Sequence, residues 1–468
     1  MGIRDQRLEI ERLRDWEIES PIVNRQSQLI STTIPAPGLT PEQLLAHADG
    51  QERFYWQAAQ GTAAFAGFGA AADLRAWGST RFESIQKQAR QLFAEAIVED
   101  AGQPLAAPRL FGGFSFRDDF TPDNTWAVFH PAQFILPHYQ LVQTAGESWL
   151  TINATIPPEE EPQTILSELR SALQARYTLL QTQQTTVTSE VTVTSLNYPM
   201  PYETWREMIG QATGKMRTGE LNKVVLSRVC EIRFNGRTPI TAALHTLNQS
   251  YPDCYRFLFE PRPNHAFYGA TPELLAQVHG RDLITMGLAG SIRRGKTAQE
   301  DEALGRELLT SQKDLYEHAI VVQAIRQRLK PLLSELMLPD QPDLLRLGYI
   351  QHLHTPVHGR LHTPTGILPI VKILHPTPAL GGAPRPLAMQ FIREAEPVPR
   401  GWYAAPVGWL DHHLDGAFGV AIRSAVAQDH RVWLHAGGGI VAASEPQKEW
   451  EETQLKFKPM LQTLGIDG

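Results

Sequence analysis

The segment HAGGGIVAASEPQKEWEETQLKFKP, residues 435–459, holds three consecutive glycines, Gly437, Gly438 and Gly439, followed by a helix-like stretch with Glu449, Glu452 and Lys456. Those three charges are spaced three and four apart and share one helix face. Trp450, Phe457, Leu461 and Leu464 form a neighbouring apolar stripe, so the carboxylates sit beside the buried side. Carboxylate oxygens on a rigid helix suit a hard cation such as Mg²⁺, which takes one or two carboxylates and keeps several waters. Glycines just upstream let backbone N–H groups approach an anion closely. Ser444 is the expected N-cap, with Pro446 in the first turn and Gln447 at N3. A solvated acidic helix after a loop needs none of this chemistry, and the stretch by itself leaves both arrangements open.

A metal needs ligands from more than one place. In KDLYEHAIVV, Glu317 lies among Leu315, Ala319, Ile320, Val321 and Val322. A helix apolar nearly all round is expected to be buried, and a buried carboxylate must be paired or metal-bound. Lys223 opens a strand-like run into Val224, Val225 and Leu226. Apolar neighbours and cations such as Arg423 or Lys456 would lower its pKa and make it a general base; a snorkelling strand-end lysine is the alternative. Glu273 in YGATPELL and the Gly290–Ser291 pair in MGLAGSIRRG fit turn chemistry as well as a site. His352, His375, Tyr403 and Arg423 are further polar points; the histidines form no HExxH or related zinc pattern.

The elements that must position these residues follow from apolar periodicity. Helices are expected at 164–181, at 203–219, with Trp205, Met208, Ile209, Ala212 and Met216 on one face, and at 311–329, where Ser311 precedes Asp314 in a capping-box-like arrangement. The stretch 54–74 reads as strand, turn, strand, and further strands are expected at 110–119, 134–143, 223–234, 401–411, 416–428 and 431–442. Helices and antiparallel-looking strands mix without a βαβ rhythm, which favours an α+β fold. The polar run 182–195 is the best seam, dividing an N-terminal half, 1–195, from a region 196–466 that carries the candidate residues.

Composition bounds the class. The 468 residues are 20% charged and 42% hydrophobic with a net charge of −7, an ordinary globular balance that gives no electrostatic case for nucleic acid or an anionic membrane. No run approaches the ~20 apolar residues that span a bilayer. Two cysteines, Cys230 and Cys254, make neither a zinc ribbon nor a disulfide framework. The charged start lacks the apolar core of a secretion signal, and a cytoplasmic enzyme or binding protein is expected.

Taken in order, LNKVVLSR, GATPELL, GLAGSIRRG, SQKDLYEH, QHLHT, LHPTPALGG, WYAAPVGWLD, VAIRSA and HAGGGIVAASEPQKEWEET resemble the chorismate-utilising enzymes over about residues 200–460. The resemblance implies two large packed antiparallel β-sheets flanked by helices, with the N-terminal half belonging to the same domain. It implies Mg²⁺ on Glu317 and Glu452, with Glu449 adjacent or touching it through water. The substrate's carboxylates would be held by Arg423, Tyr403, His352, Lys456 and the backbone around Gly437–Gly439 and Gly290–Ser291. Lys223 would be the base that activates water, and Glu273 the acid facing it across the ring. Ala289 stands where the aminodeoxychorismate branch has a nucleophilic lysine, and the water-activating Lys223, which anthranilate synthases lack, is present. The resemblance therefore implies water as nucleophile, no glutaminase subunit, and isochorismate synthase activity serving menaquinone, phylloquinone or siderophore synthesis. Salicylate synthase is the alternative. A non-enzymatic chorismate-binding protein would be expected to have lost Lys223, Glu273 or a metal carboxylate. A monomer or weak homodimer is expected.

Overall fold

The structure, a computed structural model, describes residues 27–61, 63–99, 101–182 and 191–466. Among them two large, mainly antiparallel sheets, of 13 and 10 strands, pack face to face with helices outside. This is the α+β architecture expected from the mixed strand and helix patterns. No helix among the described residues is long and apolar enough to cross a membrane. Much of the 182–195 seam lies outside the described residues; its end forms the exposed strand Val193–Asn197, which pairs with Lys223–Phe234.

The chain passes from one sheet to the other at four sharp bends, and these account for most differences from the expected strands. Residues 54–74 form three strands, Arg53–Gln57 and Ala64–Phe68 in the larger sheet and Ala72–Ala76 in the smaller. The run 134–143 is cut at Pro137, which lacks the N–H to continue a ladder, into Ala132–Leu136 and Tyr139–Thr144 of different sheets. Strands His265–Thr271 and Leu274–His279 change sheets through Pro272–Glu273. Gly416–Val420 and Ser424–Gln428 change back through residues 421–423, where Arg423 takes a left-handed φ of 50°. A non-glycine residue held there is strained, and such strain clusters at functional sites.

The two halves of the chain follow one path. Strand Gln28–Pro35, helix Pro41–His47, strands Arg53–Gln57 and Ala64–Phe68, then Ala72–Ala76 across the bend, are matched by Lys223–Phe234, Ile240–Ser250, Tyr255–Arg262, His265–Thr271 and Leu274–His279. Each half later returns through two strands of the smaller sheet and two of the larger into a long helix, Pro162–Thr182 or Pro446–Thr463. The register makes the match residue by residue. One row of paired residues crosses the larger sheet as Ile34, Leu150, Leu141, Ala66, Tyr55, Leu258, Tyr268, Ala425, Leu434 and Cys230. It reads alike from either end, with a pseudo-twofold axis between Tyr55 and Leu258; in the smaller sheet Gly112 pairs with Gly408 across the same axis.

Only the second half contains the long insertion between strands Leu274–His279 and Pro406–Asp411. It supplies the strand pair Asp282–Arg293 and Ile350–Leu361 and helices Ala298–Thr310 and Gln312–Leu329. The last of these is not apolar all round: Glu317, His318, Val321 and Ile325 face inward, while Tyr316 and Ala319 are exposed. Ser311 caps it as expected, its hydroxyl accepting from the Asp314 N–H. Helix Tyr202–Arg217 buries the predicted face, and Gly219 follows its end with φ of 80°.

Candidate active site

Lys223 is the first residue of its strand and fully buried, because the strand runs into the seam between the two sheets. Its ammonium lies 2.8 Å from Glu317 Oε1, an ion pair that places the inward face of helix Gln312–Leu329 against the strand. Its close charged partner is thus a carboxylate. Glu273, also buried, sits on the bend between sheets. Burial raises its pKa to about 8 although the Lys223 and Arg423 charges pull it down, so it is a neutral acid at pH 7.

The glycine run is not a loop. Gly437, Gly438 and Gly439 lie in the strand Arg431–Ile440, opposite Ser227, Leu226 and Val225. Val225 and Ser227 send their N–H groups to Gly381 O and Glu396 Oε1, away from this pair. In an antiparallel ladder Gly439 and Gly437 then also turn their backbone groups outward, and Lys456 Nζ donates to Gly437 O at 2.9 Å. At Gly439 the absence of a side chain is dictated by neighbours, since a Cβ there would overlap Glu317 Oε1 and lie 3.1 Å from Lys223 Cε.

The closing helix begins at Pro446 with Glu445 at the N-cap position. Ser444, expected there, instead closes the preceding turn by accepting from Val441 N–H. Glu449, Glu452 and Lys456 do share the inward side. Glu452 Oε1 accepts from Ser291 Oγ at 2.8 Å and pairs with Lys456 at 2.6 Å. Burial would raise the Glu452 pKa, but the Lys456 ion pair and the hydrogen bonds prevail and hold it at about 2. Glu449 is almost wholly buried; burial and the Glu452 charge raise its pKa against the pull of Lys313, whose Nζ donates to its Oε1 at 2.8 Å.

Around this core Tyr403 stacks on His435 with ring centroids 4.8 Å apart and feels the charges of Arg423 and Glu273. A Cβ on Gly437 would stand 3.1 Å from its hydroxyl. His352 lies opposite Ser291 across a bulge at Gly290, and the charges of Arg423, Lys456 and Glu452 reach it. The candidate residues other than His375 are thus brought into one connected cluster. His375 is not part of it; it is a buried core residue bonded to Phe116 O. Three members escaped the sequence reading. Lys313 and Asp314 stand one helical turn before Glu317, a spacing that could have revealed them. His318 bonds both Ala289 O and Thr355 Oγ1, long-range partners with no sequence signal.

Each of the three acidic residues expected at a metal faces its own lysine: Glu317 with Lys223, Glu449 with Lys313, Glu452 with Lys456. Accordingly no three acidic, histidine or cysteine side chains among the described residues converge as a ready ligand cage. Mg²⁺ does not need one, since it binds through one or two carboxylates with water and substrate oxygens. Glu449 Oε2 is buried and makes no close hydrogen bond, with only the Ser444 hydroxyl acting on this carboxylate besides Lys313, and such an oxygen is of the type a hard cation takes. The donor set fits the ion.

Residues 17–465 match the family model described as chorismate binding enzyme. The chain is 37% identical over 385 residues to isochorismate synthase MenF of Bacillus subtilis, covering 82% of this chain and 80% of that protein. It is 36% identical over 442 residues to the salicylate biosynthesis isochorismate synthase of Pseudomonas aeruginosa, covering 94% and 91%. Among solved structures it is similar to the menaquinone-specific isochorismate synthase MenF from Escherichia coli, with a TM-score of 0.77 and 27% identity over 97% of this chain and 98% of that one. The chain belongs to the chorismate-binding enzyme family.

Proposed function

We propose that this protein is an isochorismate synthase that adds water at C2 of chorismate and releases the hydroxyl from C4, with Mg²⁺ as its cofactor. The observation that carries the reading is the pair of buried groups Lys223 and Glu273, near enough for the Lys223 charge to act on the Glu273 carboxyl of raised pKa, with Ala289 offering no nucleophile of its own. Lys223, once deprotonated, takes a proton from the water that bonds to C2. The ring double bonds shift, the C4–O bond breaks with its electron pair on oxygen, and Glu273 protonates that oxygen so that it leaves as water. Mg²⁺, held by Glu317 and Glu452 with Glu449 beside them, would neutralise the ring carboxylate and draw electron density from C2. Arg423, Lys456 and the outward N–H groups of Gly437 and Gly439 supply the positive side of the site for the remaining carboxylate. Water as nucleophile requires no glutaminase subunit. Two unpaired, buried cysteines support a reducing, cytoplasmic setting.

Purified protein incubated with chorismate, with Mg²⁺ and with a chelator, tests this. Isochorismate formed only with Mg²⁺ is the expected product. Fluorescent salicylate would replace the reading with salicylate synthase, and anthranilate formed on adding ammonia would overturn the choice of water.

A further inference from the structure

His352 is expected, from the family resemblance, to help hold a carboxylate of the substrate. Its surroundings argue otherwise. The side chain is buried in the strand Ile350–Leu361, and its Nδ1 lies 3.3 Å from the carbonyl oxygen of Gly290, where the bulge gives Gly290 a φ of 77°. A carbonyl oxygen only accepts, so Nδ1 must carry the proton. The partners thus assign the tautomer: Nε2 of the neutral ring is a lone pair, able to accept and unable to donate. Burial first, then the charges of Arg423 and Lys456, press the ring toward neutrality, with a pKa lowered to about 3. Nε2 is itself buried and without a protein partner. A carboxylate offers only acceptors and would repel it, whereas a hydroxyl has the missing donor.

We propose that His352 Nε2 accepts a hydrogen bond from the hydroxyl on C4 of the ring. Chorismate carries one hydroxyl and two carboxylates, so it has one neutral donor to give. The neighbours favour the leaving group over the attacking water: the Arg423 charge reaches both His352 and Glu273, and the charges on His352 are those of Arg423, Lys456 and Glu452. The arrangement has a chemical purpose. For Glu273 to protonate the departing oxygen, a lone pair of that oxygen must face the acid, and its own hydrogen must point elsewhere. His352 gives that hydrogen a fixed direction. The C4–O electron pair leaves with the oxygen, the Glu273 proton joins it, and the hydrogen held toward His352 departs in the same water molecule. His352 transfers nothing and is a binding and orienting group.

This inference rests on the proposed function, and the test separates the two. The full chain carrying Lys223→Ala prevents turnover, and calorimetry then measures binding of chorismate and of its 4-deoxy analogue. Asn in place of His352 puts an amide N–H where Nδ1–H stands, keeping the Gly290 bond while deleting the acceptor. His352→Asn is expected to weaken chorismate roughly three- to tenfold, the worth of one neutral hydrogen bond, and to leave the 4-deoxy analogue unchanged. Equal loss for both ligands, or loss for neither, overturns the assignment. His352→Phe fills the same space without either nitrogen and must show the same selective loss for chorismate if the Asn variant does not fold. Failure of the Lys223→Ala parent to bind chorismate at all would instead overturn the proposed function, and the His352 assignment with it.

Discussion

Residues 147–179 and 431–463 can be written one above the other without a gap, because strand register and helix start agree in both halves. Trp149 stands for Trp433, Leu150 for Leu434, Ile156 for Ile440, and Glu161–Pro162–Gln163 for Glu445–Pro446–Gln447. The frame is common and the chemistry is not. By the same register Gly437, Gly438 and Gly439 correspond to Asn153, Ala154 and Thr155; Lys223 to Ser27; Glu273 to Ala71; Arg423 to Tyr139; Glu449 to Ile165; and Lys456 to Ala172. In the first half the place beside the strand is filled by the protein itself: buried Asn153 donates from Nδ2 to Pro137 O at 2.8 Å. In the second half three residues without side chains leave room, and the insertion brings Ser291, Glu317 and His352 into it. A duplicated scaffold therefore supplies rigidity twice, while one copy, opened by glycine and completed by the insertion, supplies reactivity.

Substitutions at matched positions should separate reactivity from rigidity. The largest effect is expected for Lys223→Ala, where removal of the base costs at least about 10³-fold in turnover, with chorismate still bound in a direct titration; retained activity would remove Lys223 from the mechanism. Glu273→Gln should lower turnover by about 10²–10⁴-fold. In the unmodified protein the acid is protonated below about pH 8 and lost above it. The rate should therefore fall as pH rises through that value, and the pH profile of the Gln variant should lack this limb. On the stability side, the same raised pKa means the folded state holds a proton that the unfolded chain releases above about pH 4.5. This contribution thus favours folding less as pH climbs from there to about 8, and Glu273→Gln should flatten that dependence in urea titrations. The smallest effect on activity is expected for Asn153→Ala, the counterpart of Gly437. It strands the Pro137 carbonyl and should lower unfolding free energy by about 1–3 kcal/mol, with turnover per folded molecule unchanged. A large loss of turnover there would show that the first half is more than scaffold.

Much of the scaffold was legible from local pattern. The helix face at 203–219, the existence of the helix at 311–329, the buried strand at 223–234 and the strand at 431–442 all follow from apolar spacing, whereas the face that 311–329 turns inward does not. The four bends between sheets were not legible. A strand that leaves one sheet for another keeps its apolar pattern, so 134–143 and 416–428 each read as single strands. The duplication was hidden for a related reason: the halves share register and few residue types, and the insertion lengthens only one of them. The glycines misled in the opposite direction. Three in a row signal a flexible turn, yet these pair in a ladder with Ser227, Leu226 and Val225, and at Gly439 the side chains of Glu317 and Lys223, distant in sequence, occupy the space a Cβ would need.

The sequence by itself determined the inventory: a buried-type lysine at a strand start, a carboxyl after Gly-Ala-Thr-Pro, acidic residues at helical spacing, and an alanine where a competing nucleophile would stand. Residue type and spacing carry that information because they depend only on local geometry. Tertiary structure alone decided the pairing of Glu317 with Lys223 and of Glu449 with Lys313, the neutral state of Glu273 and the tautomer of His352. Those properties are set by burial and by charges and carbonyls contributed from other elements, and Coulombic and hydrogen-bonding partners tens to hundreds of residues away leave no mark on the local pattern.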